Sequence, residues 1–349
     1  MNNPGQVGIL GSGETTATGG QLFEAIARNY SVPISACVLE TPAGYEQNSA
    51  IVAARVTDYI KVRLQNYSPK IIQIPERKRC YEGGLDNPDL LWPIMAQNMI
   101  FFGPGSPSYT VRQLDGSLAW ASIRAAHESG AAIIAASAAS IALGKYALPV
   151  YEIYKVGEDP FWKPGLDFFG KYNLKISIIP HWNNEEGGAA LDTSHCFMGQ
   201  ARFAKLMQLL PSEVVIVGID EHTGLIVDLV NQRCNVTGKG KIHLIINGSE
   251  EIYGKSEHFP IQRLGEFRWP QDILSLPEEF QVFVKKMPLQ EEIVEKVPTE
   301  IKDLVKLRES ARQQKNWSES DRLRDLLASK GWQITDTKDG PVIQNEQQN

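Results

Sequence analysis

The chain has 349 residues, of which 42% are hydrophobic and 22% are charged, and its 35 basic and 41 acidic side chains give a net charge of −6. This composition excludes an intrinsically disordered or collagen-like chain, and the slightly acidic balance provides no long-range attraction to nucleic acid or to an anionic membrane. Charge is unevenly distributed, because residues 298–349 hold 18 charged side chains in 52 positions, against 58 in the preceding 297. We therefore expect an α/β domain over residues 1–258, an irregular segment and linker over 259–298, and a small helical hairpin over 299–345.

The sequence has no feature of a secreted or membrane protein. No stretch reaches the ~18 apolar residues of a membrane span, and Met1–Gln6 lacks the basic and apolar parts of a secretory signal. The cysteines are scattered without metal-ligand spacing, at Cys37, Cys80, Cys196 and Cys234. We expect a soluble cytoplasmic protein with buried reduced thiols, no metal ion and no cofactor.

Apolar runs of strand length alternate with amphipathic segments of helix length over the first two thirds of the chain. The predicted strands are Val7–Leu10, Ala36–Leu39, Ile71–Ile74, Met99–Phe102, Ala132–Ala135, Ile176–Ile179 and Val214–Ile219. The predicted helices include Gln21–Arg28, Ser49–Gln65, Ala119–Glu128 and Gln200–Leu210. Near-continuous apolar strands separated by helices are typical of a parallel sheet covered on both faces, so a doubly wound, flavodoxin-like α/β fold is predicted.

Beyond residue 222 the pattern changes to closely spaced strands. Glycine turns separate Leu225–Leu229, Lys241–Ile246 and Glu251–Tyr253, which predicts antiparallel hairpins closing the edge of the sheet.

The tail has helical periodicity from Thr299 onwards. Leu304, Leu307 and Ala311 are predicted to share one face of a first helix, and a second helix has its own apolar face at Leu323, Leu326 and Leu327. A break and cap at Asn316–Ser318 and a stop at Gly331 complete an αα-hairpin, with a short extended end at Trp332–Thr335.

In a doubly wound sheet, ligands bind just beyond the carboxyl ends of the strands. Ser137 follows one apolar strand among small residues and precedes a helix, as a nucleophilic serine on a sharp strand-to-helix turn does. Such a position also favours negative charge that develops near the first N–H groups of the helix. The alternative is a helix N-cap.

Three further strand ends carry polar residues. His181 follows Ile176–Ile179 and is placed as a general base, Glu221 follows Val214–Ile219 and could orient the imidazole, and the Gly103–Ser106 turn offers the Gly105 N–H. Each has a structural alternative: a hydrogen-bonded histidine, a solvated carboxylate and a plain turn. Because the rule for such sheets places all four ends at one edge, a Ser137–His181–Glu221 triad is favoured.

Gly11-Ser12-Gly13 is only half of a dinucleotide-binding fingerprint, since Thr16 takes the third glycine position.

With these residues in view, the first ~245 residues resemble the class I glutamine amidotransferase-like fold, and more narrowly the serine peptidases of the dipeptidase E and cyanophycinase family. Ala135–Ala139 resembles the family's Gly-x-Ser-Ala-Gly elbow, with Ser137 as nucleophile and alanine at both glycine positions. Pro180–Asn184 is similar to the Pro-His-Phe-x-Asn segment of the base, and Gly218–Glu221 matches the Gly-x-x-Glu segment of the acid.

The resemblance also implies an oxyanion hole and a substrate. Gly103–Ser106 is similar to the family's Gly-Gly-Gly-Asn turn, with Pro104 at its central glycine, so the N–H groups of Ala138 and Gly105 are the expected oxyanion donors. Family substrates have acidic or aspartyl-linked residues, and Arg202 and Asn183 are the candidate substrate contacts. For Arg202 the favoured alternative is a surface salt bridge. The true amidotransferases hold cysteine at the elbow, which disfavours glutaminase activity here.

The tail resembles a different protein. Leu307–Gly340 looks like the C-terminal end of cysteinyl-tRNA synthetases, but the sequence has neither HIGH-like nor KMSKS-like signatures and no zinc-ligand set. Cysteine ligation is therefore rejected. The tail's basic residues could contact the phosphates of tRNA, namely Arg308, Arg312, Lys315, Arg322 and Arg324. Because nine acidic side chains balance nine basic ones, a solvated or protein-docking hairpin is favoured over tRNA binding.

The leading hypothesis is a serine hydrolase acting on a small peptide or amide. Two alternatives remain: a catalytically inactive binding protein with the same fold, whose alanine-containing elbow no longer reacts, and a tRNA-associated accessory protein acting through the tail. The oligomeric state does not follow from the sequence.

Overall fold

The computed structural model describes residues 3–270, 299–313, 316–337 and 340–345. The chain divides into two compact units, residues 1–276 and 277–349. The first unit contains the predicted α/β domain and the second contains the predicted hairpin.

The first unit is built on a mixed eight-stranded sheet with the strand order β14-β11-β10-β1-β5-β4-β2-β3. Its parallel part consists of β1 (Val7–Leu10), β2 (Ser35–Leu39), β3 (Lys70–Ile74), β4 (Met99–Phe102) and β5 (Ala132–Ala136). Its antiparallel part consists of β10 (Thr223–Asp228), β11 (Arg233–Gly238) and β14 (His258–Pro260). The doubly wound, mostly parallel α/β fold is thus confirmed.

A second sheet of four strands lies beside the first, with the order β13-β12-β9-β8. Its members are β8 (Ile176–Ile179), β9 (Val215–Ile219), β12 (Ile242–Ile246) and β13 (Ser249–Tyr253). The strands that precede His181 and Glu221 therefore lie in a different sheet from those that precede Ser137 and Gly103, so the expectation that all four strand ends belong to one sheet is wrong. The free edge of β1 is taken by antiparallel β10, so β8 and β9 pair with each other instead.

Helices cover both faces of the main sheet, as the two-faced apolar strands require. The longer ones are α1 (Ala17–Ala27), α2 (Ser49–Arg63), α4 (Pro107–Leu114), α5 (Leu118–Glu128) and α8 (Gly199–Gln208). The single-turn ones are α3 (Leu91–Met95), α6 (Ala138–Ala142) and α7 (Ser194–Phe197). α1 and α2 pack on one face of the sheet and α5 on the other, while α8 covers the second sheet.

Two small elements complete the first unit. A short ladder pairs β6 (Tyr146–Ala147) with β7 (Lys163–Pro164), and a π-helix spans Glu152–Val156. The predicted linker begins at residue 259, yet β14 pairs with β11 and Ile261 and Leu264 are fully buried in the core. Residues 271–298 of that predicted linker lie outside the described residues.

The second unit contains α9 (Thr299–Gln313), α10 (Trp317–Ser329) and a ladder of β15 (Trp332–Thr337) with β16 (Gly340–Asn345). Asn316 caps α10 by accepting from the Glu319 N–H, and Gly331 has φ of 80°, as the predicted break and stop require. The predicted face of α9 is wrong at Leu307, which is 58% exposed. Arg308 is fully buried there instead.

The cysteine prediction holds for three of four residues: Cys37, Cys196 and Cys234 are buried, whereas Cys80 is exposed, and all four are free thiols. Within the described ranges, every helix is too short or too polar to cross a bilayer.

A buried histidine lies at the end of α5. His127 is fully inaccessible, its ring meets Phe168 edge-on at 5.0 Å, and its Nε2 lies 3.3 Å from the Tyr172 hydroxyl. Burial lowers the pKa of His127 from 6.5 to about 3, and the nearby Lys171 ammonium adds to this effect.

His127 should therefore make the protein acid-sensitive. Because its folded pKa lies below its unfolded value, protons bind preferentially to the unfolded chain as the pH falls below ~6.5, and stability is lost by up to about 1.4 kcal/mol per pH unit until about pH 3. Urea midpoints measured from pH 7 to pH 5 should fall less steeply for His127→Gln than for wild type. Equal slopes would contradict this role.

Candidate active site

Ser137 lies between β5 and α6 at the carboxyl end of the main sheet. Its φ of 52° and ψ of −115° are sparsely populated for a residue with a side chain. Its N–H donates to the Leu10 carbonyl at 3.2 Å, which anchors the turn to β1. Ser137 is partly exposed in a run of buried residues, so the turn presents its hydroxyl at the end of the strand.

The two elbow alanines are compatible with this turn. Ala135 and Ala139 are fully buried, and neither has a positive φ. Glycine's conformational freedom is therefore not required at either position. The Ala139 N–H donates to the Gly103 carbonyl at 3.3 Å, which ties the elbow to the turn after β4.

His181 follows β8 of the second sheet and also has a positive φ, 50°. Its carbonyl accepts from the N–H groups of Asn184 at 3.2 Å and Cys196 at 3.1 Å, which hold the strained turn. Its Nε2 lies 3.0 Å from Ser137 Oγ. The structure thus brings the predicted nucleophile and base within hydrogen-bond distance, from two different sheets.

Glu221 lies in the turn where the chain passes from β9 of the second sheet to β10 of the main sheet. Its Oε1 is 2.8 Å from His181 Nδ1 and also accepts from Asn184 Nδ2 at 3.1 Å. The hydrogen bond from His181, followed by that from Asn184, lowers the pKa of Glu221 against the opposing effect of burial. An ionised carboxylate only accepts, so the proton lies on His181 Nδ1 and Nε2 can accept from Ser137.

Asn183, the predicted substrate contact, supports the turn that carries Glu221. Its Oδ1 accepts from the Glu221 N–H at 2.8 Å, and its neighbour Asn184 is almost fully buried beneath the carboxylate. Ser12 supports the same turn by accepting from the His222 N–H at 3.0 Å. Sequence reasoning assigned no role to Asn184 or Ser12. The tandem amides after His181 were a visible signal, but the sequence could not show which of them faces the carboxylate.

The turn after β4 is fixed by close packing. The Ser106 N–H donates to the Pro42 carbonyl at 3.0 Å, and a Cβ added to Gly105 would lie 1.9 Å from that oxygen. Glycine is therefore required at 105. Within residues 3–270, the N–H groups of Gly105 and Ala138 have no hydrogen-bond acceptor.

Arg202, the other predicted substrate contact, donates from Nη1 to the Phe197 carbonyl at 3.4 Å. A cavity of about 590 Å³ is lined mainly by the loop that follows His181, including Asn183, Glu185 and Asp192. Arg202 does not line this cavity, and the charged side chains that do are carboxylates.

The tail's basic residues mostly contact the tail itself. Arg308 is fully buried. Arg322 forms two hydrogen bonds with Glu319, at 2.8 and 2.7 Å, and Arg324 lies 3.7 Å from Asp321. The Arg312 guanidinium lies over the Trp317 ring at 5.9 Å. Lys315 lies outside the described residues.

Comparison with solved structures supports the fold. The chain is similar to a peptidase from an acI-B1 Actinobacterium, with a TM-score of 0.59 and 21% identity, covering 74% of this chain and 97% of that one. It also matches a putative peptidase E protein from Listeria monocytogenes, with a TM-score of 0.44 and 13% identity, over 72% of this chain and all of that one. The first likeness shows that the chain has the fold of a peptidase.

Sequence comparison finds cysteine–tRNA ligases. The ligase of Chlamydia felis is 44% identical over 55 residues, and that of Thermosynechococcus vestitus is 53% identical over 47. These stretches cover 16% and 14% of this chain and span only 12% and 10% of the ligases. No family model matches the chain. The chain thus combines a peptidase fold with a tail similar to a small part of cysteine–tRNA ligases.

Proposed function

We propose that the protein is a serine hydrolase that cleaves a small peptide or amide through Ser137, His181 and Glu221. The observation that carries this proposal is the continuous hydrogen-bond chain from Ser137 Oγ to His181 Nε2, at 3.0 Å, and from His181 Nδ1 to Glu221 Oε1, at 2.8 Å. Nucleophile, base and orienting acid in this geometry define a triad whatever the fold.

In the proposed reaction, Ser137 Oγ attacks the carbonyl carbon while its proton passes to His181 Nε2. A C–O bond forms and the carbonyl π electrons move onto oxygen. Collapse of this intermediate breaks the C–N bond, and the leaving amine takes the proton from Nε2. Water then attacks the acyl ester by the same route, which releases a carboxylic acid and restores Ser137.

The oxyanion is proposed to accept from the N–H groups of Ala138 and Gly105. Both belong to turns at the same end of the main sheet, and neither has an acceptor within residues 3–270. The bond from Ala139 to the Gly103 carbonyl joins the two turns. Fixed backbone donors of this kind need no reorganisation as charge develops on the oxygen.

The chemical class of the substrate follows from the resemblance only in part. Acidic substrates of the dipeptidase E type need a cation near the site, yet Arg202 is directed to the Phe197 carbonyl and the neighbouring cavity carries Glu185 and Asp192. We therefore keep the proposal at a small peptide or amide, without an acidic requirement.

The alternative of an inactive binding protein rested on the alanine-containing elbow. The normal φ of Ala135 and Ala139 removes this steric objection, because the strained residue is Ser137 itself. Serine in the elbow remains 3.0 Å from an imidazole, which a binding role does not require.

Labelling with a fluorophosphonate tests the proposal. Ser137 Oγ should displace fluoride from phosphorus, and intact mass should show one adduct per chain. Ser137→Ala should abolish labelling, and His181→Asn should slow it by roughly 10³-fold or more because the base is lost.

Ser140→Ala is the matched control, since Ser140 lies on α6, the helix that follows Ser137, and its hydroxyl donates to the Leu10 carbonyl. It should label like wild type. Folded wild-type protein that takes up no reagent, or labelling that persists in Ser137→Ala, would rule out the proposed nucleophile.

A second test concerns the oxyanion turn. Gly105→Ala should lower the labelling rate by roughly 10²-fold, because its Cβ displaces the turn from the Pro42 carbonyl and moves one donor. Gly254→Ala is the control, since its Cβ would make only an ordinary 3.5 Å contact. An unchanged rate in Gly105→Ala would remove Gly105 from the oxyanion hole.

The tail's likeness to cysteine–tRNA ligases makes tRNA binding the second candidate function, but its described arginines are buried or engaged within the tail. We therefore favour a protein-docking role and expect the full chain to show no salt-sensitive tRNA binding in filter assays between about 50 and 200 mM salt. Salt-sensitive binding that disappears on deleting residues 299–349 would favour the tRNA role instead.

A further inference from the structure

A second ionisable group lies next to the candidate triad. His243, on β12, is largely buried between two carboxylates. Its Nε2 lies 3.3 Å from Asp220 Oδ1, and its Nδ1 lies 2.7 Å from Glu250 Oε1 on the neighbouring strand β13. With an anion at each ring nitrogen, the imidazole is suited to carry both protons.

Asp220 connects this histidine to the acid of the triad. It directly precedes Glu221 and forms two hydrogen bonds with Lys241. The Asp220 backbone N–H donates to the Lys241 carbonyl at 3.1 Å, and Asp220 Oδ2 accepts from the Lys241 backbone N–H at 2.8 Å. Asp220 is buried. The turn that presents Glu221 is thus attached to the start of β12 through Asp220, and the His243 ring lies beside this buried carboxylate.

Trp182 connects the same histidine to the base of the triad. It directly follows His181, and its indole stacks on the His243 ring at 5.2 Å with an interplanar angle of 23°. The space for the indole depends on Gly218, where an added Cβ would lie 2.3 Å from the ring. The backbone N–H of Trp182 also donates to the Ile219 carbonyl at 3.0 Å.

We propose that His243 is a positioning residue of the hydrolase: as an imidazolium it binds Asp220 and Glu250 and supports Trp182, and so holds the turns carrying Glu221 and His181 in register. This inference rests on the proposed function. His243 contacts neither Ser137 nor the reacting carbonyl in the proposed reaction, so it acts only through the neighbours of the two triad residues.

The charge state of His243 follows from its surroundings. Burial alone would lower its pKa, but the neighbouring carboxylates of Asp220 and Glu250 outweigh burial and raise the pKa above its ordinary value. His195 also faces the cluster: its ring meets the Trp182 ring at 4.4 Å, and burial is the main cause that lowers its pKa. Because the folded pKa of His243 is raised above its ordinary value of 6.5, its support is fully present below pH 6.5 and is lost as the pH rises through the raised pKa.

The experiment measures fluorophosphonate labelling of the full chain as a function of reagent concentration and pH. His243→Gln removes the charge, and Glu250→Gln removes the outer carboxylate at a half-exposed position. Both should lower the maximal labelling rate by roughly tenfold through misalignment of the triad, with the half-saturating concentration unchanged. In Glu250→Gln the alkaline loss of labelling should begin at a lower pH.

Glu213→Gln is the matched control, because it removes an exposed carboxylate paired with Lys175 at the other end of β9. It should label like wild type at every pH. Suppose that wild type is labelled and that His243→Gln and Glu250→Gln keep both its labelling rate and the pH at which labelling is lost on the alkaline side. The positioning role is then wrong, and the proposed function stands.

A measurement independent of reactivity separates the two proposals further. The proton between His181 Nδ1 and Glu221 should give a downfield proton NMR signal, assigned by its loss in His181→Asn. This signal should broaden or shift in His243→Gln and Glu250→Gln and stay unchanged in Glu213→Gln. An unchanged signal in both His243→Gln and Glu250→Gln would overturn the positioning role. The proposed function would be overturned by a different result, namely that the folded wild-type protein is not labelled.

Discussion

The candidate site depends on three strand ends that turn abruptly with left-handed backbone. Ser137, His181 and His222 have φ of 52°, 50° and 54°. Such conformations cost of order 1–3 kcal/mol each and persist only where the surroundings hold them. Here Leu10 holds the first turn, Asn184 and Cys196 hold the second, and Ser12 holds the third. Because the chain reverses sharply at each of these turns, the side chains of Ser137, His181 and Glu221, which precedes His222, lie together.

The site also joins two sheets. Ser137 comes from the main sheet, His181 comes from the second sheet, and Glu221 lies where the chain crosses between them. The hydrogen-bond chain is therefore sensitive to how β8 and β9 sit against β1 and β5. The buried faces of β9 and β12 contribute to the same apolar core as β1 and β5, and this packing fixes the separation that the imidazole spans.

Much of this arrangement could be predicted from residues alone. The strands that are buried on both faces could be predicted, because near-continuous apolar runs of strand length are typical of such strands. β11 was missed because only Cys234 and Val236 are apolar and buried in it. The split into two sheets was also missed, since pairing partners leave no local signal. On α9, Leu307 and Arg308 are adjacent in sequence. The apolar leucine was predicted to be buried, but the arginine is buried and the leucine is exposed.

The site residues show the same limit. Strand-end position identified Ser137, His181 and Glu221, whereas the choice between Asn183 and Asn184 depends on one turn's geometry. Likewise, His243 lies inside a strand and not at a strand end, and only the fold places it against Asp220 and Trp182.

The central claim is that Ser137 reacts in an environment that stabilises negative charge on the substrate oxygen. A crystal structure of the phosphonylated protein tests both parts at once. We expect a bond from phosphorus to Ser137 Oγ, with the phosphoryl oxygen about 2.7–3.1 Å from the backbone nitrogens of Ala138 and Gly105. An unmodified Ser137, or an adduct whose oxygen faces away from both nitrogens, would contradict it.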